Sequence, residues 1–343
     1  MKIYIACPPL FATGGTELLH QLHHKFKEKG VNSFIYYIDS HNCEKELLVA
    51  ERFKKYFVDY DKEVVVDIID DKKNYLIVPE IYFEKLSPKN INICQWWLSV
   101  DNFFIIHGKF KHDLILSEKP IQKLKNHIKI IINRFPYNNL EKVLNKDNVF
   151  CNFYQSEYAL KFLKLLRLKK PLPLSDYINA DLFSGIDNIN HEEKEDIILY
   201  NPKKGIENIE ALKLLSPKNF KWVAIENMTP QEVQNLFKKA KLYVDFGNHP
   251  GKDRIPREAA INDCCIITNR EGSANNDIDI AIPKLYKFKN PIVQQSEVFK
   301  LIDDIFKNYS QYLKDFLPYK QQILNEEQVF NKQVDNFINL IQN

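Results

Sequence analysis

Six cysteines are spread over 343 residues, and no two of them form a CxxC pair. That spacing argues against a disulfide framework and against a zinc site. Several sit inside apolar runs, where cysteine behaves as a small hydrophobe. They fit a reducing compartment, so the expected location is cytoplasmic, with the inner face of the cytoplasmic membrane as a variant. No stretch reaches the ~18 apolar residues of a membrane span. The opening "MKIYIAC" is too short an apolar core for a signal peptide, and no small-residue cleavage site follows it. Net charge is only +3, so any basic site must be local. No aromatic-basic module of the known kinds occurs, and nucleic acid is not an expected partner. The GxGxxG fingerprint is missing, which counts against a nicotinamide or flavin oxidoreductase. "DID" at 277–279 has DxD spacing, but its neighbours read as a surface turn. No metal and no cofactor are therefore expected.

What is present is ordinary globular material: 45% hydrophobic and 27% charged residues, with enough chain for two domains. The first third alternates buried strand runs with helical patterns. "KIYIAC" (2–7) is a strand, and "TELLHQLHHKFKEKG" (16–30) puts Leu18, Leu19, Leu22 and Phe26 on one helix face, with Gly30 as its stop. "SFIYYI", "NYLIVPE", "INICQ", "DLILS" (113–117), "IKIIIN" (128–133) and "NVFCNFY" continue the strand series. Continuous apolar strands alternating with helices indicate an α/β fold whose parallel sheet is covered on both faces. Residues 171–194 are proline-bearing, polar and charged, and read as a linker. The pattern then restarts through "DIILYN", "KWVAI", "KLYVDF" and "CCIIT". Thr229, Pro230 and Glu232 form a helix-start signature with a capping box. The expected domains are 1–170, 195–310 and a helical segment 311–343 that packs back on the first domain.

Ligands of open parallel sheets bind beyond the carboxyl ends of the strands. The loops there carry the informative chemistry. "FATGGTE" places Gly14, Gly15 and Thr16 between a strand and a helix, where free N–H groups suit an anion; a plain tight turn is the alternative. Lys203 and Lys204 in "YNPKKGIE" suit a diphosphate, against the alternative of a solvated lysine pair. "FGNHPGKDRIPREAA" (246–260) holds Lys252 and Arg254 in a loop stiffened by Pro250 and Pro256, with Glu258 placed to accept ribose hydroxyls. A self-neutralised salt-bridge cluster is the alternative reading. Gly272, Ser273 and Ala274 could add N–H groups to the same diphosphate. Trp96, Trp97 and Asp101 could touch an acceptor sugar, or belong to the core; Glu80 ends a strand in the same region. The basic helix 156–170 could meet anionic lipid, or dock with a solvated lysine face.

The chain resembles the GT-B-fold glycosyltransferases, most closely the retaining nucleotide-sugar group, family 4-like. The resemblance rests on "GGTELLHQLHHKFKEKG", "QSEYA" (155–159), "ILYNPKKG" and "REAAINDCCIIT" (257–268), and covers most of the chain. It implies two Rossmann-like domains with parallel sheets facing across a cleft, donor on the C-terminal one and acceptor on the N-terminal one. It places Glu258 on the donor ribose, Lys204 and Arg254 on the diphosphate, and Gly15 beside the donor phosphates. Glu226, Asn227 and Met228 fall to the ribose and base, and His107 matches a histidine near the sugar. The implied function is sugar transfer from a nucleotide sugar to an oligosaccharide or lipid-linked glycan, in bacterial capsule or lipooligosaccharide synthesis, without a metal. The alternative is a non-catalytic scaffold that binds nucleotide or glycan. One position departs from the pattern: eight residues before Glu258 stands Pro250 instead of a second glutamate. His249 and Asp253 are the candidates to stand in, and retention versus inversion stays open.

Overall fold

The computed structural model describes residues 1–86, 88–107, 144–183 and 185–342, except for the side chains of 105–107, 180 and 187. The chain divides into two compact units, Met1–Asp176 with Val329–Asn343, and Tyr177–Gln328. The runs 113–117 and 128–133, expected as strands, lie outside the described residues.

The first unit is built on a seven-stranded sheet of order β3-β2-β1-β4-β5-β6-β7. The strands are β1 (Ile3–Cys7), β2 (Ser33–Tyr37), β3 (Val64–Val65), β4 (Tyr75–Pro79), β5 (Asn92–Trp97), β6 (Val149–Tyr154) and β7 (Pro171–Pro173). Every neighbouring pair is parallel. In β1 all five side chains are buried, as a strand covered on both faces requires. β7 falls in the stretch read as linker. Its two prolines cannot donate to a ladder, which confines it to the sheet edge.

Helix α1 (Gly14–Glu28) buries Leu18, Leu19, Leu22 and Phe26, and Gly30 ends it with φ of +70°. Two of its three histidines, His20 and His23, are also internal. His20 bridges the Thr16 carbonyl and the Tyr37 hydroxyl at 2.7 and 2.8 Å. His23 lies between Ser33 Oγ at 3.1 Å and Glu63 Oε2 at 3.0 Å. This serine–histidine–glutamate row is fully enclosed, so it ties α1 to the sheet instead of meeting a substrate.

Burial pushes both imidazoles down to about 4 from the ordinary 6.5. The unfolded chain therefore takes up these protons near pH 6.5, while the folded chain holds off until about pH 4. Stability from these groups is complete above pH 6.5 and falls as the pH drops through that window, by about 1.4 kcal/mol per unit per ring. Urea midpoints at pH 7.5, 6 and 5 should fall in that order. Midpoints that stay level would show that the rings are not held neutral.

The second unit carries a five-stranded parallel sheet of order β12-β11-β10-β8-β9. Its strands are β8 (Glu195–Tyr200), β9 (Lys221–Ala224), β10 (Ala240–Asp245), β11 (Cys265–Asn269) and β12 (Lys287–Phe288). Among the described residues, the remaining helices of the first unit are α2 (Tyr60–Glu63), α3 (Val100–His107) and α4 (Glu157–Leu165). The second unit adds α5 (Ile206–Leu215), α6 (Pro230–Lys239), α7 (Arg254–Ile261), α8 (Gln295–Lys307), α9 (Tyr309–Leu313) and α10 (Leu317–Leu324). The last helix, α11 (Glu326–Gln342), starts in the second unit and runs into the first. α6 opens as its sequence indicates: Thr229 caps it, Pro230 takes the first position and Glu232 closes the capping box. One core holds the second unit together, running from Ile178 through Val244, Ile266 and Tyr286 to Ile323.

Candidate active site

In the second unit the sheet order reverses between β8 and β10. β8 continues outward to β9, while β10 continues the other way to β11 and β12. The two strands are paired through Leu242–Ile198, Tyr243–Leu199 and Val244–Tyr200, so their loops leave side by side and then diverge. Such a switch point is where an open parallel sheet forms its ligand crevice.

The loop after β8 carries Lys204, and the loop after β10 carries His249 to Asp253, with Arg254 opening α7. The sequence makes their close approach possible by withholding side chains. Gly205 has φ of +59°, and a Cβ there would come within 2.7 Å of the Gly247 nitrogen. Gly272, with φ of +54° in the loop after β11, would drive a Cβ into the His249 backbone, 2.8 Å from its carbonyl carbon. Polar side chains then pin the loop. Asn208 donates to the Phe246 carbonyl at 2.9 Å and Asn269 to the Gly247 carbonyl at 2.7 Å. The Ser273 N–H meets the His249 carbonyl at 2.9 Å, and its hydroxyl donates to the Gly251 carbonyl at 2.5 Å.

The charges meet on this frame. Lys204 Nζ lies 2.7 Å from Asp253 Oδ1, and His249 Nδ1 lies 2.7 Å from Asp253 Oδ2. Arg254 pairs with Glu258 one turn on along α7. Burial alone would raise the Asp253 carboxyl, but His249 and Lys204 outweigh it and hold the group below the ordinary range. Asp245, His249 and Asp253 each offer an atom within 4.8 Å of the others. Both Asp253 oxygens are already engaged, by Lys204 and by His249.

No protein-family model matches the chain, and no curated protein matches its sequence. Many solved structures do match it. Anabaena HepE in complex with UDP-glucose aligns over 99% of this chain and 99% of its own, with 10% identity and a TM-score of 0.59. Sucrose-phosphate synthase from Thermosynechococcus elongatus covers 100% and 99%, with 12% identity and a TM-score of 0.64. An alpha-glucosyltransferase in complex with UDP and a 13-mer DNA covers 100% of both chains, with 9% identity and a TM-score of 0.51. The fold is GT-B.

On this GT-B frame the expected site residues separate into groups. Lys204 pairs with Asp253, and Arg254 with Glu258, each of the four partly open to solvent. Lys203 is exposed beside them, and Glu226, Asn227 and Met228 are exposed after β9, the strand next to β8. Gly14 and Gly15 belong to the first unit, exposed in the first turn of α1, while the Thr16 hydroxyl donates to the Phe11 carbonyl at 2.9 Å. His107 closes α3, and its side chain lies outside the described residues.

Several expectations need correction. Lys252 does not face a diphosphate; it is turned inward, 2.8 Å from the buried Glu326. Ser273 and Ala274 are buried, and the Ser273 N–H and hydroxyl hold the 249–251 backbone, so they have nothing left for phosphate. His249 is fully buried with Nδ1 on Asp253, so it is not a base open to an incoming acceptor. Both Asp253 oxygens are engaged, which removes it from the same role.

The acceptor candidates of the first unit are core residues. Trp96 and Trp97 have no exposed surface and donate to the Leu174 carbonyl and Asn152 Oδ1, each at 3.0 Å. Asp101 is buried and accepts from the Tyr158 hydroxyl at 2.8 Å. Glu80 is buried as well, and burial raises its carboxyl to about 8, against the pull of backbone N–H groups at Leu98 and Ser99. Indoles without exposed surface have no face to offer a sugar.

Two features of this cluster went unread in the sequence. Asp245, the last residue of β10, faces His249. Arg257 reaches the Asp253 and Lys252 carbonyls, both at 3.1 Å, and anchors them to Glu326. An acid ending an apolar parallel strand was the available signal for the first. The second depends on a partner 69 residues away.

Proposed function

We propose that this protein is a glycosyltransferase that moves a sugar from a nucleoside diphosphate sugar to a hydroxyl of a glycan or lipid-linked acceptor. The observation that supports this reading most is the ion pair of Lys204 with Asp253 across the loops after β8 and β10, at the switch point of a GT-B unit, with Arg254 the next residue of the chain. As the bond from the sugar C1 to the diphosphate breaks, negative charge grows on the departing oxygens. Cations fixed in advance stabilise that charge without reorganising. Asp253 and Glu258 are the resting counter-ions, and the diphosphate replaces them on Lys204 and Arg254. Glu258, once released, is placed for the ribose, with 226–228 for the base. The similar structures that hold UDP or UDP-glucose make uridine the favoured base.

The same reading assigns the acceptor to surface polysaccharide synthesis, capsule or lipooligosaccharide, with the basic side of α4 touching an anionic membrane. No helix among the described residues is long and apolar enough to cross a membrane. The charge stabilisation is supplied by side chains, so turnover is expected to persist in EDTA. The test is a panel of nucleotide sugars with slow donor hydrolysis as readout, beside thermal shifts with UDP, GDP, CMP and ADP. Lack of stabilisation by every nucleotide would overturn the proposal. Activity lost in EDTA and restored by Mn²⁺ would overturn its metal-free form. Nucleotide binding without hydrolysis or transfer would favour the scaffold reading, which the resting neutralisation of both cations also fits.

A further inference from the structure

We propose that Asp245 is a positioning residue for the donor site, acting through a relay Asp245–His249–Asp253–Lys204 that orients the lysine ammonium for the leaving diphosphate. The inference rests on the donor-site reading above.

The relay is built from strand end to solvent. Asp245 closes β10 and is buried. It accepts the Tyr243 hydroxyl at 2.9 Å and the Gly247 N–H at 3.2 Å. Its Oδ1 faces His249 Nε2 at 3.7 Å, an ion-pair distance too long for a hydrogen bond. That nitrogen is buried and has no hydrogen-bond partner. On the other side of the ring, Nδ1 meets Asp253, and Asp253 meets Lys204, both at 2.7 Å. The backbone between is held by Ser273 at the His249 carbonyl and by Arg257 at the Asp253 carbonyl.

A buried imidazole with a carboxylate on each edge is best satisfied as a cation, donating toward both. Burial alone would lower its affinity for a proton, but Asp245 and Asp253 outweigh this and raise it, against the opposing charge of Lys204. Of the other groups nearby, the Tyr243 phenol donates to Asp245, Arg254 pairs with Glu258, and Lys252 and Arg257 share Glu326. The four-residue relay then carries two negative and two positive charges and is neutral as a whole, which is what lets it lie indoors.

The function follows from who holds Asp253. While His249 is charged, it satisfies Asp253, and Lys204 can be handed to a diphosphate. When His249 loses its proton, Asp253 keeps a full negative charge beside the phosphates and grips Lys204. Donor binding therefore weakens as the pH rises through the His249 titration, and Asp245 sets where that happens.

The experiment pairs a histidine NMR titration of the free protein with UDP affinity across pH 5.5 to 8.5, for the wild type and D245N. In the wild type, His249 should stay protonated above its ordinary 6.5. In D245N the titration and the fall in UDP affinity should both move to lower pH by at least about one unit, leaving binding near wild type at pH 5.5 and about tenfold weaker at pH 8. D245N binding that is equally weak at every pH, or unchanged at every pH, would overturn the relay. So would a wild-type His249 that titrates at or below 6.5, a measurement that needs no variant to fold. Added Zn²⁺ or Mn²⁺ that shifts or broadens the His249 signal without nucleotide would overturn it too, because the cluster would then be a cation site. A wild type that binds neither UDP nor GDP overturns the donor-site reading and the positioning role with it. The His249 titration then still reports whether the charged relay exists.

Discussion

Lys204→Ala is expected to lower kcat/KM for the nucleotide sugar by about 10²–10³, the loss seen when one preorganised donor to a developing oxyanion is removed. The side chain is 27% exposed and its pairing partner Asp253 keeps His249, so the loop should hold its shape and the melting temperature should barely move. Arg254→Ala should act in the same direction with a smaller loss, because it also frees Glu258. Steady-state kinetics against the donor, with melting curves as the control, decide the matter. Wild-type kinetics in both variants would remove the diphosphate assignment. Loss of folding would show instead that the cluster is chiefly a structural brace.

The second large effect concerns stability. Glu326, 4% exposed, pairs with the Arg257 guanidinium at 2.7 Å and the Lys252 ammonium at 2.8 Å. Removing its carboxylate leaves a guanidinium that is 2% exposed without its counter-ion. Breaking a buried pair from one side typically costs about 3–5 kcal/mol, since the surviving charge stays desolvated. Glu326→Ala should therefore lose about that much in denaturant unfolding, and nucleotide binding should weaken with it because Arg257 no longer pins the Lys252 and Asp253 carbonyls. Glu326→Gln, which keeps an acceptor, should lose less. A change below about 1 kcal/mol for the alanine variant would mean that water reaches the guanidinium, and the brace would have to be sought elsewhere.

Both predictions concern residues that sequence reasoning treated unequally. The placement of Lys204 and Arg254 just beyond strand ends was legible because strand runs are easy to recognise. The capping box at Thr229 was legible because its signals lie within one turn. The trouble came with residues whose role depends on direction. Lys252 and Arg254 are two apart in one charged loop, yet one turns inward to Glu326 and the other lies along α7. Trp96 and Trp97 sit near a strand end, where a sugar-stacking pair would also be found. Only their enclosure, with Asn152 and the Leu174 carbonyl as partners, shows that they are core.

Periodicity and local chemistry were enough to settle that this chain builds parallel sheets in two successive α/β units, where its strand-end loops fall, and which of them carry cations. Those properties depend on neighbours a few residues away. The tertiary structure alone decided that the loops after β8, β10 and β11 converge, that Asp245 faces His249, and that Ser273 and Lys252 serve the frame instead of a ligand. The reason is that strand order, and hence the switch point between β8 and β10, is fixed by which faces pack together in the core. A sheet's order leaves no periodic trace in the sequence, and neither does the aim of a lysine.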